Sequence, residues 1–178
     1  MSDIRRPIEA TLVYLKRGRQ WLMLHRGGRP GDIHAGKWNG LGGKVDAGES
    51  PLECAVREVR EESGLEVRSL QACGHLSFPL FKDAIDWSVH VFLCDDFDGE
   101  PGPCSEGSLE WVDESQLLEL NLWEGDRHFL PHVIAGSRFH GRFDYRDKKL
   151  AFWRLSLEDE RGRYVDLRPE TPYIGDKT

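Results

Sequence analysis

Three glutamates in one short stretch, Glu58, Glu61 and Glu62, are spaced so that a helix would stack their carboxylates on one arc, at i, i+3 and i+4. Such neighbours repel by about 0.2–0.5 kcal/mol per pair even when exposed. A solvated acidic face would tolerate that repulsion. Two features point elsewhere: the glutamates adjoin the apolar arc of the same stretch, and a loop containing Gly42, Gly43 and Gly48 precedes them. Clustered hard oxygen ligands suit Mg²⁺, or Mn²⁺ in its place, an ion that keeps several waters and takes up phosphate oxygens. The chemistry expected of these residues is therefore metal-assisted attack on a phosphate.

The element that must carry the glutamates is a helix over residues 51–63. Ser50 is a good N-cap, Pro51 suits the first helical position, Glu53 completes an S-x-x-E capping box, and Gly64 is a plausible stop. At 100° per residue, Leu52, Ala55, Val56 and Val59 share the arc expected to face the core.

Gly43, Glu49, Arg57, Glu58, Val59, Glu61, Glu62, Gly64 and Leu65 match the Nudix box, G-x5-E-x7-R-E-U-x-E-E-x-G-U, at every defined position. By this long, fixed pattern the chain resembles the Nudix hydrolases. The resemblance implies a Mg²⁺-dependent enzyme, using two or more ions, that cuts a diphosphate linkage in a nucleoside diphosphate derivative. It implies that Glu58, Glu61 and Glu62 bind metal, with the Gly43 carbonyl as an extra ligand. It also implies that Glu49 and Arg57 pair to hold the loop against the helix.

Shorter stretches, WNGLGGKV at 38–45, HVF at 90–92, LWEGD at 122–126 and FHGRFDY at 139–145, are similar to the MutT-type purine nucleoside triphosphate diphosphatases. More narrowly, they are similar to the animal homologue that hydrolyses 8-oxo-dGTP. That similarity runs over roughly residues 8–157. It implies that Asn39 contacts the purine and that Trp123 stacks on it. Phe78 and Trp87 would form apolar walls, and Glu106 would join the metal site from a loop. Where the animal enzyme has two adjacent aspartates that read the oxidised base, this chain has Gly125 and Asp126. His25, Arg26 and Lys44 are the basic residues placed for phosphate or sugar. Each assignment has an ordinary counterpart: a turn for Asn39, core packing for Trp123, Phe78 and Trp87, a solvated loop for Glu106, and a surface pair for His25 and Arg26.

The reaction expected is NTP plus water giving NMP and pyrophosphate. A carboxylate must accept the water's proton, and Glu61 and Glu106 are both candidates. Three other readings stand beside it. The chain could cleave ADP-ribose or dinucleotides, with Pro79 as the residue in favour, although a strand-edge proline explains it equally. It could prefer a pyrimidine nucleotide. It could be a catalytically silent nucleotide-binding module, a reading weakened by the intact Glu58, Glu61 and Glu62.

The rest of the chain frames this site. A length of 178 residues is expected to form one domain over residues 1–157, with residues 158–178 an extension packed on the surface or disordered. The net charge of −7 leaves no basic excess for a nucleic-acid polymer, so the partner expected is a small nucleotide. No run approaches a membrane span, the N-terminus lacks a signal-peptide core, and the four cysteines lack CxxC spacing. These features are those of a cytoplasmic protein with reduced, mostly core thiols and no zinc site. Strands are expected at 8–16, 20–25, within 67–81, at 87–94 and 110–112, with a hairpin at 139–145 and 150–157. Asp113 and Asp126 are the expected caps of two short helices. The pattern is that of an α/β/α sandwich around a mixed β-sheet, the fold class that the Nudix resemblance also implies.

Overall fold

The computed structural model describes residues 6–28, 30–82 and 84–167. Its elements are β1 (Ile8–Arg17), β2 (Gln20–Arg26), β3 (Trp38–Asn39), α1 (Pro51–Ser63), β4 (Glu66–Lys82), β5 (Ile85–Asp98), β6 (Gly107–Asp113), a 3-10 segment (Glu114–Glu119), α2 (Asp126–Ile134), β7 (Phe139–Arg146), β8 (Lys149–Glu158) and β9 (Tyr164–Leu167). The strands form one mixed sheet in the order β3-β2-β1-β5-β4-β7-β8-β9, with β6 along the other side of β2. β1 lies parallel to β5 and β4 parallel to β7, while the hairpins are antiparallel. One core cluster joins α1 to the sheet through Val13, Leu22, Ala55, Val59 and Phe92. The other lies beneath α2 and includes Tyr14, Trp21, Phe129, Phe139 and Phe143.

The feature that builds the site is a split in the sheet. β1 and β2 pair only near their shared turn, from Leu15↔Leu22 to Arg17↔Gln20. Beyond it they diverge, and the chain from Trp38 to Val45 fills the gap. Asn39 pairs with Leu24 on β2. The segment after it zips onto β1, with Val13 N–H donating to Leu41 O at 2.6 Å, Thr11 N–H to Gly43 O at 2.8 Å and Val45 N–H to Glu9 O at 2.9 Å. So close an approach needs glycine. At Gly42, where φ is +146°, a Cβ would come 2.1 Å from the Thr11 carbonyl oxygen.

α1 begins and ends where the residues predict. The Ser50 side chain caps Glu53 N–H, the Glu53 side chain returns to Ser50, and Gly64 closes the helix in the left-handed region at φ 74°. Its buried face is rotated from the expected arc. Cys54, Ala55, Val59, Glu62 and Ser63 are buried, whereas Leu52 is 51% and Val56 37% exposed. Docking of the 41–45 loop decides this: Cys54 Sγ lies against the Gly43 and Lys44 carbonyls and Glu62 against Gly42, so polar contacts override the apolar arc.

Three further expectations are adjusted. The strand pieces expected within 67–81 are one strand, and Gly74 and Pro79 fall at its register shifts. Asp113 caps the 3-10 segment through Ser115 N–H. Asp126 is not a cap: Gly125 takes that place without a side-chain bond, and Asp126 turns inward, buried. Of the C-terminal stretch, Tyr164–Leu167 adds β9 to the sheet edge, and residues 168–178 lie outside the described residues. Among the described residues, no helix is long and apolar enough to cross a membrane. Cys54, Cys73 and Cys94 are buried and Cys104 is half-buried, all as free thiols.

Candidate active site

Arg57 organises the carboxylate end. Its Nε and Nη2 donate to the two Glu49 oxygens at 2.8 and 2.9 Å, the bidentate pairing expected between loop and helix. The same guanidinium reaches the Lys44 carbonyl at 3.1 Å, Glu58 at 2.8 Å and Glu61 at 3.2 Å. The hydrogen bonds from Arg57 hold the Glu49 carboxyl down at about 2, and Glu49 in turn holds Arg57 above its ordinary value. This loop is therefore clamped to α1 by charge at any physiological pH.

Glu58 and Glu62 point from α1 at the glycine loop. Glu62 is only 7% exposed and accepts the Gly42 N–H at 2.8 Å. A Cβ on Gly43 would meet the Glu58 carboxylate at 2.2 Å, so the glycine leaves room for that side chain. Burial pushes the Glu58 carboxyl up, and burial pushes Glu62 up to about 8. The charge of Glu106 raises both, which places this loop carboxylate at the same end of the site. Glu106 is bound by Arg26 Nη1, whose Nη2 holds Asp32 at 3.2 Å. Glu61 is the most exposed of the box glutamates. The Gly43 carbonyl already accepts the Thr11 N–H.

This donor set fits a hard divalent cation. It consists of carboxylate oxygens, and two of the acids are pushed up by burial and by each other's charge, a cost that a bound cation would relieve. Among the described residues no group of three His, Cys, Asp or Glu side chains is already drawn together around a point. Glu61 leans on Arg57 and Glu106 on Arg26, so a cation would compete with these arginines for both.

A pocket of about 280 Å³ opens from the split between β1 and β2. Glu62 is in its lining, together with Asn39, Phe78, Trp87, Trp123 and Asp126. All but Glu62 were expected at the base, and the fold brings them together, with Arg26 also in the wall. His25 is not among them. Successive strand residues face opposite sides, so Arg26 enters the pocket while His25 stacks on Trp38, their rings 4.5 Å apart. Lys44 also lies outside the lining, with Nζ 5.4 Å from the centre of the Trp87 ring.

Asp126 is buried, and its desolvation pushes the carboxyl up to about 7, with Lys37 and Arg127 opposing. The sequence reading missed Asp32, His34, Phe81, Lys82 and Tyr145, which also line it. One signal was available: Asp32 Oδ1 accepts the His34 N–H at 2.9 Å, the two-residue turn that an aspartate in a glycine-rich loop favours. Trp123 Nε1 donates to His34 Nδ1 at 3.0 Å, and burial lowers the imidazole to about 4, so His34 is neutral. Phe81 packs edge-on against Trp123 and Tyr145, with ring centres 5.4 and 5.2 Å away.

Comparison with known proteins shows the family and the fold. The NUDIX domain model matches residues 5–133. The chain is 37% identical over 114 residues to an oxidized purine nucleoside triphosphate hydrolase of Mus musculus, covering 64% of this chain and 73% of that one. It is 37% identical over 112 residues to the protein of the same description in Danio rerio, covering 63% and 72%. Among solved structures, a MutT protein from Bacillus halodurans superposes with a TM-score of 0.74 at 32% identity, covering 83% of this chain and 97% of that one.

Proposed function

This chain belongs to the Nudix family and is a pyrophosphohydrolase acting on diphosphate bonds; we propose that its substrates are purine nucleoside triphosphates, oxidised ones such as 8-oxo-dGTP included, cleaved to NMP and pyrophosphate. The observation that carries this reading is the place of Glu62. It belongs to the acidic face of α1 and also lines the pocket of Asn39, Trp123 and Asp126. A nucleotide with its base among the aromatics would thus present its phosphates to the carboxylates. The animal relatives named for oxidised purine nucleotides support the same substrate class.

Mg²⁺, when held by Glu58, Glu61 and Glu62 with Glu106, would supply charge neutralisation and make a water easier to deprotonate. The chain's own residues do the rest. Glu49 and Arg57 hold the loop so that Gly42 and Gly43 stay against Glu62 and Glu58. Phosphoryl transfer asks chiefly for such positioning and charge. Glu106 is the carboxylate we assign to take the proton from water, because it approaches from a separate loop and is free of the Arg57 clamp. Asn39 can donate and accept at a base edge, and Trp123 and Phe78 supply apolar and stacking surface.

The test is turnover with Mg²⁺ of 8-oxo-dGTP, dGTP, dATP and dCTP, read by pyrophosphate release, and of ADP-ribose, read by formation of AMP and ribose 5-phosphate. A purine triphosphate as best substrate, giving NMP and pyrophosphate, supports the reading. If dCTP or ADP-ribose were turned over best, the purine assignment would be wrong.

A further inference from the structure

Gly125 lies in the chain between Trp123 and Asp126, two residues of the pocket wall, where the similar animal enzymes would suggest a second carboxylate. The packing explains why none stands here. A Cβ on Gly125 would lie 2.7 Å from the Tyr145 hydroxyl oxygen and 2.9 Å from Phe143 Cδ1. No side chain fits at 125 while Tyr145 occupies its place. The two residues form one unit, since the Tyr145 hydroxyl oxygen accepts the Gly125 N–H at 2.7 Å.

That hydrogen bond fixes the polarity of the hydroxyl. With its oxygen receiving the Gly125 N–H, the hydroxyl cannot spend its own proton on that partner and has it available to donate into the pocket. The ring is set by edge contacts with Trp123, at 5.5 Å and 85°, and with Phe81, at 5.2 Å and 68°. It lines the same pocket as Asp126 and Asn39. Burial, and then the charge of Asp126, hold its phenol above the ordinary value, so it keeps its proton.

We propose, resting on the purine-pocket reading above, that Tyr145 is a specificity-determining residue whose hydroxyl donates a hydrogen bond to a ring carbonyl oxygen of the bound purine. A carboxyl changes from donor to acceptor when it ionises, whereas this hydroxyl is a donor throughout. Guanine-type bases, oxidised or not, carry a carbonyl that accepts it. Adenine presents an amino donor instead and leaves the proton of the half-buried hydroxyl unmatched, a mismatch that costs affinity.

The experiment is calorimetric binding of nucleoside monophosphates, which removes catalysis from the readout. Wild type and Tyr145→Phe are compared on 8-oxo-dGMP, dGMP, dAMP, dCMP and the 2-aminopurine deoxynucleotide, which lacks the ring carbonyls. In wild type, deleting the carbonyl should weaken binding by roughly threefold to tenfold, the worth of one hydrogen bond. In Tyr145→Phe that step should vanish, and dAMP, relieved of the mismatch, should bind more tightly than to wild type. An equal step in both proteins, with purine binding intact, would overturn the role of Tyr145 alone. Should the variant fail to fold, the wild-type series still decides, because affinity indifferent to carbonyl deletion overturns the proposal. Tighter binding of dCMP than of any purine would instead remove the base-pocket reading beneath it.

Discussion

The two ends of the site are built on opposite principles. The carboxylate end is contiguous and electrostatic: Glu49, Arg57, Glu58, Glu61 and Glu62 lie within one helix and the loop before it, the first three carboxylates tied by the Arg57 guanidinium and Glu62 by the Gly42 N–H. The base end is dispersed and apolar, with Asn39 on β3, Phe78 and Phe81 on β4, Trp87 on β5, Trp123 and Asp126 around the start of α2, and Tyr145 on β7. On the proposed reading the first end would serve chemistry common to many nucleotides, because it would meet the phosphates. The second is suited to choosing among them, because its walls come from several elements and Trp123, Phe81 and Tyr145 pack on one another into a shaped surface.

The largest effect should come from the common end. Glu58→Gln, Glu61→Gln and Glu62→Gln should each lower kcat by about a hundredfold or more, the scale on which lost acid–base or electrostatic groups are measured. The loss should be similar for every nucleotide, as read by pyrophosphate release. A variant that keeps more than about a tenth of wild-type kcat, a barrier change below about 1.4 kcal/mol, has lost no essential group. Glu61 is the sharpest case, since it is the most exposed of the three and leans on Arg57.

At the base end, Trp123→Ala should raise KM by roughly tenfold to a hundredfold, as expected for about 1–3 kcal/mol of stacking. It should leave the bond that is cut unchanged. Because Trp123 is also 6% exposed and packed, the melting temperature should fall as well. An unchanged KM for purine substrates would return Trp123 to the core.

Asp126 tests the same end through pH. Its carboxyl is raised from 3.8 to about 7 by burial, so the folded chain keeps a proton that the unfolded chain releases. Its contribution to stability is full below 3.8 and is lost as pH rises to about 7, beyond which it stays flat. Asp126→Asn removes that loss. The variant's advantage in melting temperature over wild type should grow between about pH 4 and about pH 7 and then level off. A constant difference across that range would mean that Asp126 is not held protonated by its surroundings.

The smallest effect is expected at His25. Its ring faces away from the pocket and stacks on Trp38, so His25→Ala should leave kcat/KM within about twofold, an ordinary surface-scale effect. A large loss would place His25 at the substrate after all.

The same division explains what was legible in the chain. The caps of α1, its length and the glutamate spacing are local facts, decided within a few residues, and Ser50, Pro51, Glu53 and Gly64 behave as their types dictate. The rotation of its buried face was not legible, because Cys54 and Glu62 are buried by a loop that reaches them only after β1 and β2 part. His25 and Arg26 could not be separated without knowing which face of β2 met the pocket. Asp126 had a capping residue's signature, and only the packing of α2 against β7 reveals it as a buried acid. Phe81, Lys82 and Tyr145 carry no motif of their own. They meet at the pocket through the long β4–β5 hairpin and the parallel pairing of β4 with β7.

The division of labour is tested most directly by one matrix of kcat/KM values: wild type, Glu58→Gln and Asp126→Ala against 8-oxo-dGTP, dGTP, dATP and dCTP. The account predicts that Glu58→Gln lowers every column by one common factor, leaving the order of substrates as in wild type, while Asp126→Ala reorders the purines. A Glu58→Gln variant that changes the order, or an Asp126→Ala variant that lowers all four nucleotides alike, would contradict it.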